Sequence, residues 1–286
     1  MEERFDRVSD AVKRMSEALE AYRSVQDAHA AMRFLVAHQE EYGIDTSMMF
    51  VGGSSSGAIT ALNLAFMTDE MRPGYTRKGF LRTDLGGIDT CGNAIKAPFR
   101  IRGIVEMWGA LADTAMMRGH NIPILAFHGD ADNVMPYDYG YPFAVANPLN
   151  TLVVDKMYGA SCIVDHATKL GHQARLVTFS GLKHALHLDP KTKEPNENFF
   201  VVQDAMSDFF CDIIMPEQLE IVEDGSTYSL CQQPIATSWR VEGGVILNQQ
   251  ANHVEVQWIR NAPKRSITAS ATFPYGIGLT TAKDID

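Results

Sequence analysis

Six residues, Gly52-Gly53-Ser54-Ser55-Ser56-Gly57, stand between a short apolar run, Met48-Met49-Phe50-Val51, and a helix-like segment from Ala58 to Ala65. An apolar strand that reverses into a helix within so few residues needs glycines where side chains would collide. Gly53-Ser54-Ser55-Ser56-Gly57 has the G-x-S-x-G spacing of such a turn. It would lift Ser55 onto a sharp, strained bend with its hydroxyl exposed, and set the N–H of Ser56 at a helix N-terminus, where it can hold a developing negative charge. Ser55 is therefore the candidate nucleophile and Ser56 the candidate oxyanion donor. The stretch also has the glycine spacing of a P-loop. However, Ala58 and Ile59 occupy the places where Lys and Ser/Thr would reach phosphate and magnesium, so phosphate binding is not expected.

A neutral serine hydroxyl is a weak nucleophile and needs a base, which in turn needs an acid to orient it. On a strand-turn-helix scaffold these follow in the order Ser, Asp/Glu, His. Two further apolar runs end in suitable loops. Ile122 to Phe127 leads into His128-Gly129-Asp130-Ala131-Asp132, and Arg175 to Phe179 leads into Ser180-Gly181-Leu182-Lys183-His184. Asp132 and His184 complete the expected order at the expected edge of a sheet. Asp130 is too close to Asp132 for both to face one histidine, so one of the two is structural. His184 is preferred to His187, which reads as a loop or surface residue, and His128 reads as a satisfied structural histidine at the end of a buried strand.

Around these sites the chain alternates strands and helices. Helical spacing runs from Ser9 to about Gly43, a second strand covers Ile101 to Met107, and helices are expected near Leu152 to Leu170 and Asn198 to Met215. Mostly apolar strands separated by helices predict a parallel α/β sheet covered on both sides. After Pro216 the helix period gives way to strand-like pieces with turn residues from Gln218 to Phe273, with Trp239 and Trp258 as core anchors. The expected domains are an α/β catalytic domain over 1–216 and a small antiparallel β-sandwich over 217–286. Among 286 residues, 45% are hydrophobic and 21% charged, enough to bury a core. The net charge of -10, without a Lys/Arg stripe, makes nucleic acid and anionic membranes poor partners. No window of about 20 apolar residues predicts membrane insertion.

A metal centre built from His128, Asp130, Asp132, His184 and His187 matches neither a calcium loop nor H-E-x-x-H, so neither metal nor other cofactor is expected. The four cysteines, Cys91, Cys162, Cys211 and Cys231, form no C-x-x-C pair and read as buried thiols or as one or two disulfides. Trp108 could line a pocket or belong to the core. Tyr137, Tyr139 and Tyr141 could stack on a sugar or phenolic acyl group, or pack structurally. The Asp84 to Asn93 segment could cover the site as a lid, with Cys91 tied to Cys162, or be an ordinary surface loop.

The segments Gln26-Asp27-Ala28-His29-Ala30-Ala31, Tyr42-Gly43-Ile44-Asp45 and Gly52 to Gly57 resemble the helix, loop and nucleophile elbow of α/β-hydrolase carboxylesterases. His128-Gly129-Asp130-Ala131-Asp132-Asn133-Val134-Met135-Pro136 is similar to their H-G-x-x-D-x-x-V-P acid loop, with Met135 replacing the usual Val. The resemblance, over residues 18 to 215, is to secreted esterases of the feruloyl-esterase and polyhydroxybutyrate-depolymerase type. It implies Asp132 as the catalytic acid, esters on small molecules, polysaccharides or polyesters as substrates, and a secreted or periplasmic location for the full-length form. The tail, with Ser238-Trp239-x-Val241-x-Gly243-Gly244 and Val254-x-Val256-x-Trp258, resembles a PKD-like or immunoglobulin-like module, which implies a spacer or adhesive appendage.

In this family several strands precede the nucleophile strand, and a loop after one of them gives the second oxyanion N–H. Here 54 residues precede Ser55, and they are almost wholly helical. The expectation is an N-terminally truncated α/β-hydrolase whose nucleophile strand lies at a sheet edge and whose oxyanion hole has one donor, with little activity as a consequence. Two alternatives stand beside the esterase: a hydrolase remnant that serves as a binding or adhesion protein, and a peptidase or acyltransferase on the same scaffold.

Overall fold

The computed structural model describes residues 2–79, 83–143, 155–215, 219–273 and 276–285, with side chains from residue 19 onward. Contacts divide the chain into two compact units, Met1–Phe210 and Cys211–Asp286. Pro216, where a boundary was expected, lies outside the described residues.

The first unit opens with a long helix, α1 (Glu2–Ala37), and a single turn, α2 (Gln39–Tyr42). Gly43, at φ 65°, ends this turn in the left-handed region that glycine enters without a Cβ penalty. The chain continues through β1 (Phe50–Ser54), α3 (Ser56–Phe66), β2 (Gly103–Met107), β3 (Ile124–Gly129), β4 (Tyr139–Gly140), β5 (Met157–Tyr158), α4 (Ala160–Lys169), β6 (Ala174–Phe179) and α5 (Glu197–Ile214). The order β1-β2-β3-β6, all parallel, makes a four-stranded sheet. Parallel strands joined by crossovers are buried by their helices, which is why every residue of β3 and the first four of β2 are buried. Leu62 and Phe66 of α3, Ile104, Ile124 and Ile163 of α4 share one core with Met32 of α1. Fully burying each such side chain contributes about 1.5–3 kcal/mol.

Glu106 of β2 and His128 of β3 break this apolar pattern, and both have no exposed surface. Two expectations also need correction. The helix anticipated from Leu152 begins only at Ala160, because Met157 and Tyr158 pair with β4 instead; residues 144–154 lie outside the described residues. Cys91 and Cys162 are free thiols and so are not joined to each other, and Cys211 and Cys231 are exposed instead of buried.

The segment from Asp84 to Asn93 is stapled to α1. Tyr22 donates its hydroxyl to Gly86 O at 2.8 Å, and Gln26 Nε2 donates to the carbonyls of Leu85, Gly86 and Gly87 at 3.0–3.2 Å. Arg33 reaches Asp89 and the Cys91 carbonyl, and His29 Nδ1 lies 2.8 Å from Asp89. Gln26, His29 and Arg33 are buried, so they need these partners. A segment held at so many backbone points is a fixed part of the fold and not a lid.

The second unit holds β7 (Ile221–Asp224), β8 (Thr227–Leu230), β9 (Ala236–Glu242), β10 (Gly244–Gln249), β11 (His253–Trp258), β12 (Ser266–Thr272) and β13 (Gly278–Asp284). They form two antiparallel sheets, ordered β10-β11-β8-β7 and β13-β12-β9. Inward residues of both sheets, among them Tyr228, Trp239, Val254, Val256 and Ile267, join in one core. Trp258 lies at its margin, donating Nε1–H to the Tyr228 hydroxyl at 2.9 Å. Strand β13 pairs with β12 through seven residues and was not anticipated, because its Thr-Thr-Ala-Lys-Asp stretch lacks apolar alternation.

Candidate active site

Ser55 follows β1 directly at φ 56° and ψ -119°, a conformation that costs a non-glycine residue about 1–3 kcal/mol. Its N–H donates to Met107 O on β2 at 2.9 Å, and its carbonyl accepts from Ile59 in the first turn of α3 at 3.1 Å, so both flanks of the bend are fixed. A Cβ on Gly53 would strike the Gly57 backbone, lying 2.7 Å from its carbonyl oxygen. A Cβ on Gly57 would meet nothing within 4 Å, so the steric demand of the turn falls on Gly53. Ser56 begins α3, and its N–H is one of the amides that a helix start leaves without an intrahelical acceptor.

Three loops at strand ends bring the predicted side chains together. His184 Nε2 lies 2.9 Å from Ser55 Oγ, and His184 Nδ1 lies 2.8 Å from Asp132 Oδ2. The imidazole is 15% exposed, whereas the Asp132 side chain is fully buried. The other oxygen of Asp132 accepts the N–H groups of Val134 and Met135 at 2.7 and 3.1 Å. Burial pushes the Asp132 pKa upward, but donation from His128, His184 and the Val134 amide outweighs it and holds the carboxyl well below the usual carboxylate range. Asp130 turns away and fastens the histidine loop, accepting Gly181 N–H at 2.5 Å and the Ser180 hydroxyl at 3.1 Å.

The structure decides the roles of several neighbours. His128 is not merely a satisfied core residue: its Nε2 lies 3.1 Å from Asp132 Oδ2, the oxygen that also meets His184, while its Nδ1 is buried with no protein partner among the described residues. His187 lies in a loop turn, as expected, but is half-buried, its ring tilted against Trp108 with centroids 4.8 Å apart, and burial pushes its pKa down. Trp108 is only 1% exposed and so belongs to the core, although its φ of 44° is strained. Tyr137 donates to or accepts from Thr178 Oγ1 at 2.7 Å and meets the His128 ring edge-on at 5.7 Å, which makes it a packing residue. Tyr139 is exposed, its ring tilted against that of Tyr158 with centroids 4.5 Å apart. Sequence reading missed Glu106, whose only signal was a carboxylate inside an apolar strand. Burial raises its pKa to about 7, against the opposing pull of His128 and the Gly109 amide.

Backbone strain gathers at this place. Of the five non-glycine residues with positive φ among those described, Ser55, Trp108 and Ala185 are site residues or their immediate neighbours. No group of three or more His, Cys, Asp or Glu residues among the described residues is arranged to hold a metal ion. No helix among them is long and apolar enough to cross a membrane.

A family model described as BD-FAE matches residues 11–121, which include Ser55 and Glu106 but neither Asp132 nor His184. No curated protein matches the chain. Among solved structures, a thermophilic esterase from the Planctomycetes species Thermogutta terrifontis is 16% identical, with a TM-score of 0.41 over 66% of this chain and 63% of that one. The same organism's esterase 2 phosphorylated by paraoxon is 17% identical at a TM-score of 0.41, covering 66% of this chain and 63% of that one. A truncated carbohydrate esterase from gut microbiota is 20% identical at 0.40, with 66% and 67% covered. The chain thus spans 63% of the length of the thermophilic esterase that it resembles.

Proposed function

We propose that this chain is a serine-dependent carboxylic ester hydrolase of the α/β-hydrolase type. The observation that carries the reading is the hydrogen-bonded line from Ser55 Oγ through His184 to Asp132, set on a strained strand-to-helix bend. His184 Nε2 takes the Ser55 proton as Oγ attacks the ester carbonyl, and the Ser56 N–H at the start of α3 holds the oxyanion. Collapse of the tetrahedral intermediate returns the proton to the leaving alcohol and leaves an acyl group on Ser55. Water activated by the same imidazole then releases the acid. Asp132 keeps Nδ1–H of His184 in place and balances the imidazolium that forms. Acyl esters carried by polysaccharide or polyester chains are proposed as substrates, supported by the likeness of the elbow and acid loop to feruloyl esterases and polyhydroxybutyrate depolymerases. For the β unit we propose a spacer or adhesive role, supported by its two packed antiparallel sheets.

The test is p-nitrophenyl acetate turnover by the full chain and by Ser55→Ala, with fluorophosphonate labelling of both. Turnover and labelling lost together in Ser55→Ala support the hydrolase. A folded chain whose Ser55 neither turns over ester nor takes the label would instead be a remnant serving binding or adhesion.

A further inference from the structure

Behind Asp132 lies a second tier of buried ionisable groups that the acyl-transfer steps do not use. Strands β2 and β3 pair with Glu106 opposite Ala126, so His128, two residues further along β3, projects from the same face as Glu106. Both side chains are fully buried. Glu106 Oε1 accepts the Gly109 N–H, and its Oε2 has no protein partner among the described residues; the same holds for His128 Nδ1. A Cβ on Gly109 would lie 2.9 Å from Glu106 Oε1, so the carboxyl is seated where only glycine fits. Ionised Asp132 can only accept, which requires His128 to carry its proton on Nε2 and leaves Nδ1 bare. An uncompensated charge or an unmet acceptor in such a place is strongly destabilising.

We propose that Glu106 and His128 are positioning residues for the triad acid: His128 presents Nε2–H to Asp132 Oδ2, and the Glu106 carboxyl on the same face of the sheet adds no second anion beside it. With its carboxyl protonated, Glu106 leaves Asp132 as the one anion facing His184. The groups facing His128 are Glu106 from β2, Asp132 and Tyr137 from the acid loop and Thr178 from β6. The raised pKa of Glu106 agrees with a carboxyl that keeps a proton up to near neutrality. This inference rests on the proposed triad chemistry.

Two measurements on the full chain test it. In 15N NMR, His128 should show the Nε2–H tautomer and an inflection near the Glu106 titration at about 7, and Glu106→Gln should abolish that inflection. An Nδ1–H tautomer, or a profile unchanged in Glu106→Gln, overturns the proposal whether or not the chain hydrolyses esters. In kinetics, His128→Leu should lower kcat by roughly 10- to 100-fold with KM within about 2-fold, and His128→Gln, whose amide can donate to Asp132, should recover most of the loss. Equal activity in His128→Leu, or no recovery in His128→Gln, overturns it. Absent Ser55-dependent turnover in the unmodified chain refutes the hydrolase reading instead, and the tautomer measurement still decides the tier.

Discussion

Asp130 and Asp132, two residues apart on one loop, serve the same histidine from opposite directions: Asp132 Oδ2 meets His184 Nδ1 at 2.8 Å, while Asp130 Oδ1 receives Gly181 N–H at 2.5 Å three residues before it. One sets the tautomer and orientation of the imidazole, and the other anchors the loop that carries it. Their substitutions should therefore separate. Asp132→Asn keeps the shape and reverses the hydrogen bond, so kcat should fall by about 10⁴-fold. Asp130→Asn leaves an acceptor for Gly181 N–H and should cost less than about 10-fold, with faster hydrogen exchange at Gly181. Comparable losses in the two variants would contradict this division, and steady-state kinetics reads it directly.

The bend at Ser55 tolerates substitution unevenly. Gly53→Ala places its methyl against the Gly57 backbone, which cannot move without shifting the start of α3 and the Ser56 amide with it. Loss of about 1–3 kcal/mol of stability and a fall in fluorophosphonate labelling of roughly 10²-fold are expected. Gly57→Ala meets open space and should remain within about 0.5 kcal/mol of the parent in urea denaturation.

Gln26 bridges α1 to three successive carbonyls, those of Leu85, Gly86 and Gly87. Gln26→Leu leaves buried acceptors without their donor and should destabilise the unit by about 1–3 kcal/mol, with hydrogen exchange rising across 85–91. If the segment were a lid, the same change would alter KM for esters of different size while leaving stability untouched.

What the sequence reveals follows from how local its causes are. The elbow, the acid loop and the histidine loop each announce themselves within ten residues, because turn chemistry and chain order are local properties. Strands β2, β3 and β6 end within two residues of where their apolar runs stop, as at Phe179 of β6, whereas β1 continues three residues past Val51. Glu106 and His128 were opaque for the opposite reason. Their proposed roles depend on strand register, which sets Glu106 opposite Ala126 and so brings two ionisable groups from separate strands onto one face. The fixed character of the Asp84 to Asn93 segment was hidden likewise, since Gln26 and Arg33 lie about 60 residues away from the backbone they hold.

Glu106 should leave a signature in the pH dependence of stability. Burial raises its pKa from an ordinary 4.5 to about 7, so the folded chain holds a proton that the unfolded chain releases across that interval. Stability from this group is fully present below 4.5 and declines as pH rises to about 7. The slope reaches at most about 1.4 kcal/mol per pH unit, which over the interval is a loss of order 3 kcal/mol. Asp132 acts in the opposite sense and in another window: its lowered pKa contributes stability above its ordinary 3.8, lost as pH falls below that value. Glu106→Gln keeps the acceptor for Gly109 N–H and removes the titration. Its unfolding free energy, measured by urea denaturation from about pH 2 to 8, should therefore lack the decline seen in the parent chain between about 4.5 and 7, while the acid limb due to Asp132 remains. A parent chain and a Glu106→Gln variant with parallel profiles over that range would mean that Glu106 is ionised in the folded state and compensated by His128 throughout.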